Sequence, residues 1–126
     1  MDKIDELEKE LARHNKTIEA LTDPSRSIAI NIEHINTALQ SGKTFKAEIG
    51  TGDDMTFALE DVSSKMNLGN AKAVIISTSA PKDKATLDEE YTDLLKSILN
   101  EKCNVIFGAD FGDYRNVEIL CISIHD

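Results

Sequence analysis

The stretch Asn104-Val105-Ile106-Phe107-Gly108-Ala109-Asp110 decides the fold of this chain. It is a continuous apolar run that ends on a glycine, an alanine and an acidic residue, and such runs are typical of strands buried in a sheet. A strongly patterned helix precedes it over residues 86–100, and after a turn at 111–116 a second apolar strand follows over 117–124. We therefore expect a buried strand at 104–109, around which the rest of the chain is organised.

Two further runs predict strands of the same sheet. Residues 72–78 contain the continuous run Ala-Val-Ile-Ile, which suits a strand buried on both faces. Residues 43–49 alternate between polar and apolar side chains, which indicates a half-buried strand that ends at a glycine turn over 50–52. The last strand, 117–124, is apolar on both sides, so we expect it inside the sheet or beneath a helix.

Helical patterns lie between these strands. Asp53 and Asp54 open one helix, because negative charge is favourable at a helix N-terminus, and its apolar face continues to Met66. Thr86 to Glu89 form a capping box, which predicts the start of the helix over 86–100. The two helices therefore connect three successive strands.

The segment before the first strand is ambiguous. Residues 27–32 alternate like a strand or an extended loop, whereas Ile32, Ile35 and Leu39 have helical spacing that ends at Gly42. Periodicity alone leaves open whether 27–32 is extended or helical.

These elements predict an α/β two-layer sandwich. A four-stranded mixed sheet packs on two helices and is preceded by an N-terminal helix. Strands joined by helices are expected to be parallel with right-handed crossovers, and the last two strands, joined by a short turn, are expected to be antiparallel. The chain divides into residues 1–22, the N-terminal helix, and residues 23–126, the main domain.

Residues 2–21 predict a single helix with one apolar seam. Its apolar residues are spaced 3, 4, 7 and 3 apart, with a histidine in the missing position, as in a short heptad pattern. A helix of this length is marginal alone and must pack on something. Two alternatives are open: the seam packs on the chain's own domain, or it is the seam of a coiled-coil dimer. The seam positions are Ile4, Leu7, Leu11, His14, Ile18 and Leu21.

Composition excludes several classes of function. The chain has 126 residues, which suits one compact domain, and its net charge of −9 is the opposite of the basic footprint of nucleic-acid-binding proteins. An acidic chain is also a poor partner for anionic membranes, and no apolar run reaches the roughly 20 residues of a membrane helix. The charged N-terminus does not resemble a signal peptide. Cys103 and Cys121 lack metal-binding spacing and are expected to be core residues in a reducing, cytoplasmic setting.

Catalytic patterns are not found in the sequence. Gly50-Thr51-Gly52 precedes a helix, where a phosphate could bind, but Asp53 and Asp54 would repel it. The three histidines lie in unrelated segments, and the acidic run over 48–61 is typical of a solvated face. We expect no catalytic residues, no metal and no cofactor, so the chain is not expected to be an enzyme on its own.

From residue 27 to its end, the chain resembles the C-terminal domain of FtsZ, the bacterial and archaeal relative of tubulin. Asn104–Ala109 (NVIFGA) is similar to the family's aliphatic-Phe-Gly-Ala strand end, and the strand KAVIIST at 72–78 lies at the matching distance. Residues 50–54 resemble the family's glycine turn and acidic helix start. The resemblance implies a four-stranded sheet on two helices. It also implies that the family's GTP-binding N-terminal domain has no counterpart in these residues.

The resemblance also identifies an interaction loop. In FtsZ a loop of pattern GxxNxDxxD enters the GTP site of the next subunit in a filament, and its two acidic residues polarise the attacking water. Two alignments of this loop are open, and they use Arg26, Ala29, Asn31 and His34 without a gap, or Asn31, Glu33 and Asn36 in a shifted register. Neither alignment supplies both acids. The resemblance therefore implies a chain that cannot complete a GTP-hydrolysing interface.

The function that we expect is that of a non-catalytic FtsZ-like C-terminal domain that acts by protein–protein contact. Its partners would be a second copy, through the N-terminal helix, and FtsZ or another tubulin-like filament of cell division, through the loop at 24–36. Nucleic acid and membranes are not expected as partners. Two alternatives stay open: one half of a split or truncated FtsZ-type GTPase, and an unrelated small-ligand-binding α/β domain.

Overall fold

The computed structural model describes residues 2–84 and 89–126 of the chain. Its four strands form one sheet in the order β1-β4-β2-β3, with helices on both faces. The elements in chain order are α1 (Lys3–Ala12), α2 (Ile18–Thr22), α3 (Ile32–Gln40), β1 (Thr44–Gly52), α4 (Met55–Ser63), β2 (Ala73–Pro81), a 3-10 turn (Lys82–Lys84), α5 (Glu89–Ile98), β3 (Asn104–Gly112) and β4 (Val117–His125).

The sheet is mixed, as predicted. β2 and β3 are parallel neighbours, whereas β4 is antiparallel to both β1 and β2 and lies between them. β3 and β4 do run in opposite directions, but they do not pair, because β2 lies between them. The position of β4 follows from its composition. Its side chains are apolar on both sides, and an interior strand buries both.

The deciding stretch forms β3, which lies at the edge of the sheet and not in its interior. Ile106 contacts the core on one face and Phe107 the core on the other, which explains the continuous apolar run. Within residues 2–84 and 89–126, no strand lies beside the outer side of the first half of β3, and Val105 is 40% exposed. The prediction of a buried strand is therefore correct only from Gly108 to Ala109, and the strand continues to Gly112.

The predicted pair of helices, α4 and α5, covers one face of the sheet. The expected apolar face of α4 is buried there, and Tyr91 of α5 is buried beside it. α4 begins after Asp53 and Asp54, as predicted, and Asp54 is its N-cap, since the Asp54 side chain accepts a hydrogen bond of 2.8 Å from the Phe57 N–H. The capping box predicted at Thr86 to Glu89 begins outside the described residues. α1, α2 and α3 cover the opposite face.

The prediction of one helix over residues 2–21 is wrong. α1 ends at Ala12, Asn15 has a left-handed backbone with φ of 59°, and a new helix begins at Ile18. Asparagine tolerates this conformation better than most residues. Thr17 then caps α2, because its side chain accepts a hydrogen bond of 3.1 Å from the Ala20 N–H.

The seam of these two helices faces the chain's own core. Four of its six positions are buried together with residues of α3 and the sheet, and they are Leu7, Leu11, Ile18 and Leu21. Ile4 is partly buried against the same core. Of the two alternatives, the structure therefore shows packing on the chain's own domain. Forming a coiled-coil seam from the same residues would require this core to open.

Two glycines that were expected to turn the chain belong to a strand instead. β1 continues through Gly50 to Gly52, and α4 packs directly on it. A Cβ at Gly50 would overlap the backbone of Ala58 and Val62 and would lie 2.7 Å from the Val62 Cβ. The glycine is therefore needed for the close approach of helix and strand, not for a turn.

Both cysteines are free thiols, with Cys121 fully buried and Cys103 half-buried. None of the helices among the described residues combines the length and the apolar character needed to cross a membrane.

Candidate interaction surface

The segment that the resemblance singles out begins with a tight turn. Asp23 ends α2, and its carboxylate accepts a hydrogen bond of 2.9 Å from the Ser25 N–H, which lowers the pKa of the Asp23 carboxyl. Arg26 then reaches back into the domain. Its guanidinium donates to the carbonyl oxygens of Ala20 at 3.1 Å and Thr78 at 3.4 Å. Arg26 thus fixes the start of the segment to the ends of α2 and β2, and does not project towards a partner.

The next residues are extended and pair with β3. Ile28 and Ala109 exchange two backbone hydrogen bonds, of 2.8 and 2.9 Å. The Ser27 hydroxyl accepts a third, of 3.0 Å, from the Phe111 N–H. Periodicity left open whether residues 27–32 are extended or helical. In the structure the chain is extended up to Asn31, and helix α3 begins at Ile32.

Two isoleucines are exposed in and just after this extended segment. Ile30 points inwards, is 3% exposed, and lies against Gly108, where a Cβ would be 2.8 Å from its Cδ1 atom. Ile28 and Ile32 point outwards and are 43% and 45% exposed. The absence of a side chain at Gly108 therefore lets Ile30 pack directly against β3.

Asn31 has a local role in the structure. It is the N-cap of α3, and its side chain accepts a hydrogen bond of 2.8 Å from the Glu33 N–H. Glu33, His34 and Asn36 follow on the exposed part of the helix. The structure thus places four of the five predicted positions together on the surface and separates Arg26 from them. Only one of the four carries a carboxylate.

No group of metal-binding side chains is formed by the residues that the structure describes. Glu33 is the single carboxylate among the predicted positions, and His34 follows it directly on the exposed side of α3. The predicted positions from Asn31 to Asn36 therefore form an exposed polar surface of α3.

A cleft that the sequence did not predict lies beside this segment. Its volume is about 510 Å³, which is within the usual range for small-molecule sites. It opens at the carboxyl ends of β2 and β3, where parallel strands commonly present polar groups. Its basic side chains are Lys16, Arg26 and Arg115, and its acidic ones are Asp23, Asp110 and Glu118.

Two of the charged side chains in the cleft bind each other, and a third binds a tyrosine. Lys16 and Glu118 form an ion pair of 2.5 Å, and the Tyr114 hydroxyl donates to Asp110 at 2.5 Å. That hydrogen bond is the main cause of the raised pKa of Tyr114. Polar residues such as Asp110, at the end of a buried strand, could have indicated this cleft in the sequence. Other residues that line it, such as Lys16 and Glu118, come from distant parts of the chain.

The exposed large apolar side chains are concentrated near β3. Five are found in the described part of the chain, and they are Ile28, Ile32, Phe57, Val105 and Tyr114. Only Phe57, on α4, lies away from β3 and the segment that pairs with it. Single exposed apolar residues are normal on protein surfaces, whereas a concentration on one side indicates a contact surface.

The fold is similar to that of known FtsZ structures. A point mutant of M. jannaschii FtsZ matches with a TM-score of 0.67 and 20% identity, over 90% of this chain and 37% of that chain. An FtsZ dimer from M. jannaschii, in an empty form, matches with a TM-score of 0.68 and 19% identity, over 82% of this chain and 33% of that one. This chain thus spans about a third of the length of the FtsZ chains that it matches. No protein-family model and no curated protein sequence matches it. The likeness shows the fold, which is that of the FtsZ C-terminal domain.

Proposed function

We propose that this chain is a non-catalytic domain of the FtsZ type that acts by contact with other proteins. The proposed contact site is the α3 surface, which consists of Ile28, Ile32, Glu33, His34 and Asn36. The observation that supports it best is the exposure of Ile28 and Ile32 on a segment whose backbone is bound to β3. A segment held in this way loses little conformational entropy on binding.

The size of the apolar contribution indicates weak, reversible binding. Full burial of an isoleucine side chain stabilises by about 1.5–3 kcal/mol. Because Ile28 and Ile32 are 43% and 45% exposed, covering both would contribute roughly 1.3–2.6 kcal/mol in total. Specificity would then come from the polar neighbours Glu33, His34 and Asn36.

The proposed partners are FtsZ or another tubulin-like filament of cell division, and a second copy of this chain. One of the FtsZ structures that this fold resembles is that of a dimer, which supports self-association as one form of contact. The proposal that the contact is non-catalytic rests on the single carboxylate of the α3 surface, where the FtsZ loop pattern carries two. We expect this contact to take place in the cytoplasm.

Co-sedimentation with polymerised FtsZ tests the α3 surface. We expect the chain to pellet with the polymer, and the double variant Ile28→Asp with Ile32→Asp to bind at least about tenfold more weakly, since 1.4 kcal/mol corresponds to a factor of ten. Phe57→Asp is the matched control, because Phe57 is 58% exposed but lies on α4. Circular dichroism checks that all variants are folded. Equal binding by the double variant and the control would exclude the α3 surface.

The small share of each FtsZ chain that this chain matches supports a second candidate function. Because this chain matches about a third of their length, we also propose that it can serve as one half of a split FtsZ-type GTPase. It would then act with a separate nucleotide-binding chain. Isothermal titration of GTP into this chain, with and without such a partner, separates the two candidates. Binding and hydrolysis that appear only in the mixture would favour the split enzyme.

A further inference from the structure

The two edges of the sheet differ in how their outer backbone groups are satisfied. Along β1, three side chains bind three of the outward-facing backbone groups. His14 Nε2 lies 3.1 Å from the Ala47 oxygen, Lys65 donates to the Ile49 oxygen at 2.7 Å, and the Asp61 carboxylate accepts from the Thr51 N–H at 2.9 Å. Edge strands covered in this way are blocked against pairing with another strand.

The outer edge of β3 is covered only over its second half. Ala109 pairs with Ile28 and the Phe111 N–H with Ser27, so the odd-numbered residues of this regular strand face outwards. Asn104 agrees with this alternation, because its N–H faces β2 and donates to the Lys72 oxygen. Val105 and Phe107 therefore also face outwards, and their N–H and C=O groups have no partner among residues 2–84 and 89–126.

We propose that this open part of β3 pairs in antiparallel fashion with the same residues of a second copy of the chain. In the proposed register Val105 of each copy lies opposite Phe107 of the other, and Ile106 lies on the two-fold axis. All four open backbone groups of each copy are then paired. The product is a closed dimer in which two four-stranded sheets form one continuous sheet.

Three observations identify a second copy as the occupant. The open window is short and self-complementary, because it ends at the turn before Asn104 on one side and at the Ile28 pairing on the other. No charged residue lies from 104 to 109, so two acidic chains can approach here without placing like charges opposite each other. The third observation is the partly covered β1 edge, whose bound groups disfavour head-to-tail pairing with β3 and so favour pairing of β3 with itself.

The covered β1 edge determines the symmetry of the assembly. Head-to-tail pairing of β1 with β3 would build an open fibre, but it would have to displace His14, Asp61 and Lys65 from three of the outward β1 groups. Pairing of β3 with β3 displaces none of these contacts, and it closes after two copies. This contact uses different residues from the α3 surface. Experiments can therefore disprove the β3 dimer without disproving filament binding, and can disprove filament binding without disproving the dimer.

Sedimentation velocity over about 0.01 to 1 mM protein tests the dimer. A contact of this small area corresponds to a dissociation constant on the order of 0.1–1 mM, so the wild-type protein should shift from monomer to dimer across the range. Val105→Pro removes one outward N–H without removing a bond to β2, and edge strands tolerate proline. It should remain monomeric. Val105→Thr keeps the N–H in a side chain of similar shape and should dimerise like the wild type.

Amide hydrogen exchange on the wild-type protein gives a test that needs no variant. The exchange of the Val105 and Phe107 N–H groups should slow as the concentration rises, while the exchange of the Ala109 N–H, already bonded to Ile28, should not change. The proposal is overturned by a wild-type protein that stays monomeric at 1 mM (roughly the weakest affinity expected). It is equally overturned by a dimer that Val105→Pro leaves intact, that Val105→Thr abolishes, or that leaves both amides unprotected.

Discussion

Gly108→Ala tests whether β3 holds the extended segment of residues 27–31 in place. An added Cβ would lie 2.8 Å from the Ile30 Cδ1 atom, closer still to its Cγ1 atom, and 3.1 Å from the Ile28 oxygen. Ile30 is 3% exposed and cannot move without disturbing the core or the pairing of Ile28 with β3. The substitution therefore forces the segment away from the sheet.

The expected cost follows from the clash and from the change in the unfolded chain. Overpacking a well-packed site typically costs 1–3 kcal/mol, or about 2 kcal/mol here. Replacing glycine by alanine offsets this by about 0.4–1 kcal/mol, because the unfolded chain loses freedom. The net destabilisation is about 1–2 kcal/mol, which corresponds to a fall of roughly 3–10 °C in Tm for a chain of this size.

Gly112→Ala is the matched control on the same strand. Neither glycine has a positive φ, and a Cβ at Gly112 would meet only the Tyr114 ring at 3.8 Å, an ordinary contact. It should be neutral or slightly stabilising. Urea unfolding of both variants measures the difference, which isolates the clash. Equal stability of the two variants would refute the role assigned to Ile30.

A double-mutant cycle locates the clash further. Ile30→Ala removes the side chain that the added Cβ would displace. Gly108→Ala should therefore lower the free energy of unfolding less in an Ile30→Ala background than in the wild type. Additive effects would show that the two residues do not interact and that the strain, if any, lies elsewhere.

Three further predictions concern the cap of α3, the packing of α4 and alkaline stability. Asn31→Ala should destabilise by about 1 kcal/mol, whereas Asn31→Asp, which retains a capping oxygen, should be near neutral in thermal melts; equal losses would exclude the cap as the cause. Gly50→Ala should cost about 3 kcal/mol or more in urea unfolding, because the added Cβ meets α4 backbone that cannot rotate away, and a milder effect than that of Gly108→Ala would contradict this packing. Burial raises the pKa of both Tyr91 and Cys121 to about 12. The folded state thus holds these protons more tightly than the unfolded state, so the stability that they contribute is complete below about pH 9 and is lost as the pH rises towards 12. Urea midpoints should fall between about pH 7 and pH 10.5 and fall less for Cys121→Ala, and an unchanged midpoint would contradict the shift.

The sequence predicted the strands and their buried faces well, because each face follows from a local alternation of side chains. It did not predict which strands are neighbours. The run at 104–109 is apolar on both faces, but nothing in that pattern tells an interior strand from an edge strand whose two faces are covered. The order β1-β4-β2-β3 is determined by packing across the whole chain.

The N-terminal helix shows a second limit of periodicity. Leu7, Leu11, Ile18 and Leu21 keep helical spacing although the backbone breaks at Asn15, because α1 and α2 present their apolar sides to the same core. The signal for the break, Asn15 followed by a threonine that can cap a helix, is present in the sequence but local. Whether the seam faces its own domain or a partner depends on α3 and the sheet, which no local pattern reports.

The candidate site could also be predicted only in part from the sequence. The positions from Asn31 to Asn36 could be placed on a surface helix from the sequence, as could the presence of one carboxylate. The exposure of Ile28 could not, because its position depends on pairing with Ala109 of β3, more than 70 residues away in the chain. The cleft beside it depends on contacts between distant elements for the same reason.

We propose that this chain binds an FtsZ-type filament without completing its hydrolysing interface. Release of inorganic phosphate from assembled FtsZ in the presence of GTP tests it most directly, when the chain is titrated in under conditions where it co-sediments with the polymer. With Glu33 as the single carboxylate of the α3 surface, the rate per FtsZ subunit should stay constant or fall. A rate that rises with the amount of bound chain would contradict the account.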